Sequence, residues 1–157
     1  MGKVGPKPKR EEVVWSPEVA YTVGLIATNG CLYPDSRHLS ITSKDRKQIE
    51  NIKSILSISA KTAIISGDYS NDERIYYRVQ WGDVTLYKFL TKVGLTSNKS
   101  LTIGELRLPD QYFFDFLRGH HDGDGCFYSY FDSRWKNSYM FYLCFSSVSK
   151  IHLEWLR

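Results

Sequence analysis

The sequence predicts an α+β fold in which one helix–hairpin–helix–hairpin–helix unit, αββαββα, is followed by part of a second copy. Three observations predict it: the chain repeats itself at a fixed offset, apolar residues alternate between helical and strand periodicity, and turn signals separate the two. Asn29-Gly30-Cys31-Leu32-Tyr33 is echoed 95 positions later by Asp124-Gly125-Cys126-Phe127-Tyr128, and Gly24 by Gly119 at the same offset. Leu39-Ser40-Ile41-Thr42-Ser43 is echoed by Leu143-Cys144-Phe145-Ser146-Ser147 at an offset of 104. The second copy therefore carries nine extra residues, placed in a hairpin loop around Ser133 to Asn137.

Each element has a local cause. Ser16-Pro17 reads as an N-cap with proline at the first helical position, and Gly30 as the stop, giving a helix from Pro17 to about Asn29. A hairpin turning at Pro34-Asp35-Ser36 follows, then a helix from about Lys44 with Ile49, Ile52, Ile55 and Leu56 on one face. A second hairpin turns near Gly67-Asp68. Its return strand puts Ile75, Tyr77, Val79 and Trp81 on one side and Arg74, Tyr76, Arg78 and Gln80 on the other. Leu86, Phe89, Leu90 and Val93 mark a helix stopped by Gly94. Pro109-Asp110 then opens the counterpart of the first helix, which Gly125 ends, and the second copy continues through one hairpin to a helix near Ser149. Residues 1–15 read as a basic flexible tail, 16–108 as the first repeat and 109–157 as an incomplete second repeat, whose sheet is expected to have an unpaired edge and to need a second chain or fragment to complete it.

Composition bounds the function classes. The chain has 157 residues, 42% hydrophobic and 15% aromatic, enough for a packed core. A net charge of +4 is compatible with a polyanionic partner and does not by itself select one. Cys31, Cys126 and Cys144 are odd in number and form no C-x-x-C pair, so neither a disulfide framework nor a zinc site is indicated. No apolar run approaches the ~18 residues of a membrane helix, and Met1 to Arg10 has no apolar core of a signal peptide. An intracellular location is the expectation, and Asn98-Lys99-Ser100 is read as a chance match to a glycosylation acceptor.

The first helix of each copy carries a glycine five residues before its terminal Asn29 or Asp124, so the two helices are expected to pack side by side at Gly24 and Gly119. Their ends would then gather Asp124, Asn29 and the final helical carbonyls into an oxygen-rich spot of the kind Mg²⁺ accepts. An EF-hand is disfavoured, because Ser133 stands where the bidentate Glu belongs. His120 and His121 are adjacent and face different sides of a helix, which disfavours a shared metal.

Thr22-Val23-Gly24-Leu25-Ile26-Ala27-Thr28-Asn29-Gly30 and Leu117-Arg118-Gly119-His120-His121-Asp122-Gly123-Asp124-Gly125 resemble the paired motifs of the LAGLIDADG homing endonucleases. Gly94 to Ser100 resembles the family's basic segment, whose lysine, here Lys99, lies near the cleavage centre. The resemblance implies a saddle of two αββαββα repeats on double-stranded DNA. It implies Mg²⁺ or Mn²⁺ as cofactor, Asp124, Asn29 and Lys99 as catalytic residues, and Asp124 and Asn29 as metal ligands. Site-specific double-strand cleavage by a mobile-element endonuclease is the activity implied. Tyr33, Ser40, Thr42, Arg74, Tyr76, Arg78 and Gln80 of the first copy, with Tyr128, Tyr142 and Ser146 of the second, are the implied DNA contacts. Asn29 departs from the pattern, which usually places Asp or Glu there. The alternative on the same fold is a noncatalytic nucleic-acid binder, an intron maturase or a transcriptional regulator.

Overall fold

The computed structural model describes residues 12–66 and 75–157. In chain order these form α1 (Pro17–Asn29), β1 (Gly30–Leu32), β2 (His38–Ser43), α2 (Arg46–Ile55), β3 (Ala63–Ser66), β4 (Ile75–Gly82), α3 (Val84–Val93), α4 (Lys99–Thr102), α5 (Phe113–Asp124), β5 (Cys126–Phe131), β6 (Tyr139–Cys144) and α6 (Lys150–Leu156). The fold is α+β with antiparallel sheets, as the sequence leads one to expect. Arg74, the Gly67-Asp68 turn and the lysines at positions 3, 7 and 9 lie outside the described residues.

Capping side chains fix the helix starts. Ser16 Oγ accepts from the Val19 amide at 3.2 Å, Asp45 from Lys47 at 2.8 Å, Asp83 from Leu86 at 2.9 Å and Ser149 from His152 at 3.3 Å, each satisfying an amide the helix leaves free. The helix ends differ in kind. Gly94 is left-handed at φ 119°, and its amide returns to the Leu90 and Thr91 carbonyls. Gly30 and Gly125 are extended, at φ −86° and −85°. Glycine is required at those two for space: a Cβ on either would lie 2.6 Å from the carbonyl oxygen four residues back, that of Ile26 or His121. One short helix, α4, and a 3₁₀ turn over Asp110–Tyr112 ahead of α5 were not anticipated from the sequence.

The first sheet has strand order β1-β2-β4-β3, all antiparallel. Leu39, Ile41, Val79 and Trp81 point into the core with Ile49 and Ile52 of α2 and Leu86 and Leu90 of α3. The register pairs Ser40 with Gln80 and Thr42 with Arg78, so these four share the opposite face. The second sheet is β5 paired with β6, Phe127 opposite Leu143 and Tyr128 opposite Tyr142. Its extra residues form the turn from Asp132 to Ser138. Val13 and Trp15, inside the segment read as a tail, pack on the core, with the Trp15 ring 4.9 Å from that of Phe89.

Helices α1 and α5 lie against each other backbone to backbone. A Cβ on Gly24 would stand 2.2 Å from the Phe116 carbonyl oxygen, and one on Gly119 would stand 1.9 Å from that of Tyr21. A turn farther on, a Cβ on Gly123 would meet Thr28 Oγ1 at 1.8 Å. None of these contacts can be relieved by turning a flexible side chain end except the last, so the helices must separate if the glycines are filled. Gly119→Ala should accordingly cost about 3 kcal/mol of stability or leave the chain unfolded, read from urea denaturation. A loss below about 1 kcal/mol would show that the helices slide apart freely.

Candidate functional site at the paired helix ends

The close approach of α1 and α5 brings their C-terminal ends to one place. Asn29 and Asp124 line the same cleft, about 870 Å³, together with Asp122, Thr42, Tyr76, Lys44, Lys47 and Gln48. Asp124 also lines a second cavity of about 260 Å³ on the other flank, with Lys99, His120, His152, Ser146 and Ser147. The structure thus gathers Asn29, Asp124, Thr42 and Tyr76 on one side and Asp124, Lys99 and Ser146 on the other. Asp124 is exposed and belongs to both.

Lys99 is buried, at 6% exposure, and its Nζ donates to the Ala27 carbonyl at 2.9 Å and the Thr28 carbonyl at 3.0 Å. A cation at a helix C-terminus is favoured by the carbonyl dipoles gathered there. Burial pushes the Lys99 ammonium pKa down, opposed by the nearby Asp124 and Cys31. Lys99 thus occupies two of the carbonyls at the α1 end, those of Ala27 and Thr28. The side-chain oxygens at the helix ends are the carboxylates of Asp124 and Asp122, the latter accepting from Tyr21, and the amide oxygen of Asn29. Among the described residues no group of three or more His, Cys, Asp or Glu gathers as a metal site. These hard oxygen donors suit Mg²⁺ in type and are too few to complete its six-oxygen shell, so they fit the ion only with oxygens from outside the chain.

Several residues of the site were not singled out in the sequence. The Tyr21 hydroxyl donates to Asp122 at 2.9 Å, the Arg118 guanidinium sits 4.8 Å from the Tyr21 ring centre, and Gln48 donates to the Asp122 carbonyl at 3.3 Å. Burial and then Asp122 push the Tyr21 phenol up to about 12. Tyr21 and Gln48 come from different elements, and no spacing marks them. Thr28 and Gly123 could have been found, since they stand 95 positions apart inside the two matching motifs.

The polar face of the first sheet presents Tyr33, Thr42, Tyr76, Arg78 and Gln80. Tyr76 lies under Lys44, whose Nζ is 5.7 Å from the ring centre. Gln80 is exposed, Thr42 half-buried and Ser40 buried at 3% exposure beneath its neighbours. Arg78 Nη2 donates to the Tyr33 hydroxyl and, at 3.3 Å, to Ser40 Oγ. In the second sheet Tyr128, Tyr142 and Tyr130 form one stack, with centroid spacings of 4.9 and 5.6 Å. Ser146 is exposed beyond β6.

Fold and site define an α+β chain with two glycine-packed helices whose ends meet beside a polar, aromatic sheet face, and in this the chain resembles the LAGLIDADG homing endonucleases. Solved structures similar to it include a mesophilic variant of the homing endonuclease I-DmoI, at 19% identity over 70% of this chain and 62% of that one, with a TM-score of 0.41. The LAGLIDADG meganuclease I-AabMI bound to uncleaved DNA matches at 18% identity over 82% of this chain and 65% of that one, with a TM-score of 0.40. Full-length DUF199/WhiA from Thermatoga maritima matches at 17% identity over 73% of this chain and 36% of that one, with a TM-score of 0.42. The chain spans less than two thirds of the length of each. No protein-family model and no curated protein matches the chain.

His120 and His152 are buried at 2% and 1% exposure with ring centres 5.1 Å apart, and burial first, then the neighbouring His152, pushes His120 down to about 4. A histidine whose folded pKa lies below its unfolded value near 6.5 stabilises the fold fully above pH 6.5, and that stability is lost as pH falls toward 4. Urea midpoints should therefore drop between pH 6.5 and 4, and His120→Phe should flatten the profile. An unchanged profile in that variant would show that His120 is not the group being protonated.

Proposed function

We propose that the chain is a double-stranded DNA-binding protein of LAGLIDADG type that acts as a site-specific endonuclease weakened by Asn29. The observation that carries this reading is the convergence of both motif helix ends, with Asn29, Asp124 and Lys99, next to the polar face of the first sheet. That face offers Tyr76, Gln80 and Thr42 to base edges and phosphates, and Tyr128, Tyr142 and Ser146 would be the contacts from the second copy.

Asp124 is the carboxylate that ends α5, and Asn29 supplies only a neutral amide oxygen at the end of α1. These two would hold a divalent ion together with phosphate oxygens, and the bound ion would supply an activated water and neutralise developing charge. Lys99, held by two α1 carbonyls on the opposite flank of Asp124, would favour an approaching phosphate in its ammonium form. In the cleft between α2 and the motif helices, Lys44 and Lys47 stand among Asp45, Asp122 and Asp124 and would offer a phosphate two cationic contacts.

The noncatalytic binder remains the second reading, and Asn29 is the observation that favours it. Incubation of the protein with a randomised duplex library and Mg²⁺ or Mn²⁺ separates the two. An endonuclease yields cut ends that disappear with Asp124→Ala, whereas a binder enriches a sequence without cutting it. Asn29→Asp is nearly isosteric and should raise cleavage about tenfold or more, while lowering metal-free stability by setting two carboxylates together. Equal cutting by both forms would show that this helix-end pair is not the catalytic centre.

A further inference from the structure

Arg78 occupies the centre of the polar sheet face, and its surroundings constrain what it can do there. Nη2 has two N–H groups, and both have acceptors within the chain: the Tyr33 hydroxyl and Ser40 Oγ. Nε is buried and has no partner. A guanidinium grips a guanine or a phosphate bidentately either side-on, through Nε and Nη2, or end-on, through Nη1 and Nη2. Both forks use Nη2, so neither can form until the bonds to Tyr33 and Ser40 break. Ser40, at 3% exposure, cannot contact a ligand in their place.

Tyr33 is the residue this arrangement holds in position. Its amide donates to the His38 carbonyl at 3.0 Å, and its carbonyl accepts from the Tyr87 hydroxyl at 2.7 Å. Its phenol oxygen accepts from the Arg78 cation, and Ser40 Oγ lies 3.4 Å away, at the long limit of a hydrogen bond. A hydroxyl that accepts a charge-assisted bond becomes a stronger donor through its own proton. Main chain and side chain are thus both fixed, with one O–H available to an acceptor on a ligand.

We infer that Tyr33, not Arg78, reads the DNA at this point of the sheet, donating its hydroxyl proton to a base-edge acceptor such as purine N7, guanine O6 or thymine O4. Arg78 and Ser40 are its positioning residues. This rests on the DNA-binding reading and specifies how one part of that surface works. Arg78 contributes sequence discrimination through Tyr33 and forms no two-pronged grip of its own on base or phosphate.

The test has two arms. In the free protein, side-chain NMR of Arg78 should show separate Nη proton signals from restricted rotation, and Tyr33→Phe should merge them. On a duplex selected from a random library, Tyr33→Phe and Arg78→Ala should each lower discrimination at the same base position about tenfold. The double variant should be no worse than either single one, Arg78→Lys should behave like Arg78→Ala, and the salt slope of binding should stay unchanged. A salt slope reduced by about 1 in Arg78→Ala, or additive losses in the double variant, would show that the guanidinium contacts DNA directly. Selection of a sequence together with a freely rotating Arg78 overturns the inference alone. Failure to select any duplex overturns the DNA-binding reading and the role of Tyr33 with it.

Discussion

The reciprocal contact between α1 and α5 is the constraint on which the rest of the molecule depends. At the repeat offset of 95, Tyr21 corresponds to Phe116 and Gly24 to Gly119. Each glycine faces the carbonyl of the other helix's matching residue, Gly24 that of Phe116 and Gly119 that of Tyr21. The two helices therefore meet through equivalent surfaces, as in a two-fold interface drawn from one chain. Contact this close excludes any side chain at the crossing, and it determines how near the two helix ends can come.

From that contact follows the character of the site. Two helix C-termini brought together concentrate the negative ends of two dipoles, and an isolated pair would repel. Lys99 answers this from α4 by donating to two of the α1 carbonyls. Of the residues that end the helices, Asp124 is a carboxylate and Asn29 a neutral amide, and Asp122 adds a second carboxylate to the same cleft. Lys99 lies on one flank, and the cleft on the other mixes Lys44 and Lys47 with Asp45, Asp122 and Asp124.

The two copies part company at their sheets, and the comparison shows where neighbours rather than sequence decide burial. Leu39 and Leu143 hold matching positions in the repeat. Leu39 is 1% exposed, because β4 lies beside β2 and α2 and α3 cover that face. Leu143 is 58% exposed on a two-stranded sheet, along with Phe127 and Phe141. The same local pattern thus gives a core residue in one copy and a surface residue in the other.

The sequence by itself determined the elements and their order. Serine and aspartate caps, the Gly94 stop and the period-two alternation from Ile75 to Trp81 act over a few residues, where local sterics and hydrogen bonding suffice. It also determined that Gly24 and Gly119 matter, because a repeat exposes paired requirements that a single glycine would hide. Tertiary structure alone decided what the long-range partners do. Lys99 is marked in the sequence only by its place in the basic segment, and a chain reversal lays it on the α1 carbonyls, while β1 and β2 bring Tyr33 and Ser40 to Arg78 Nη2. Tyr21 and Asp122, 101 residues apart, are joined only by the helix crossing. Such pairings depend on which surfaces meet after the chain has folded, and no local spacing encodes them.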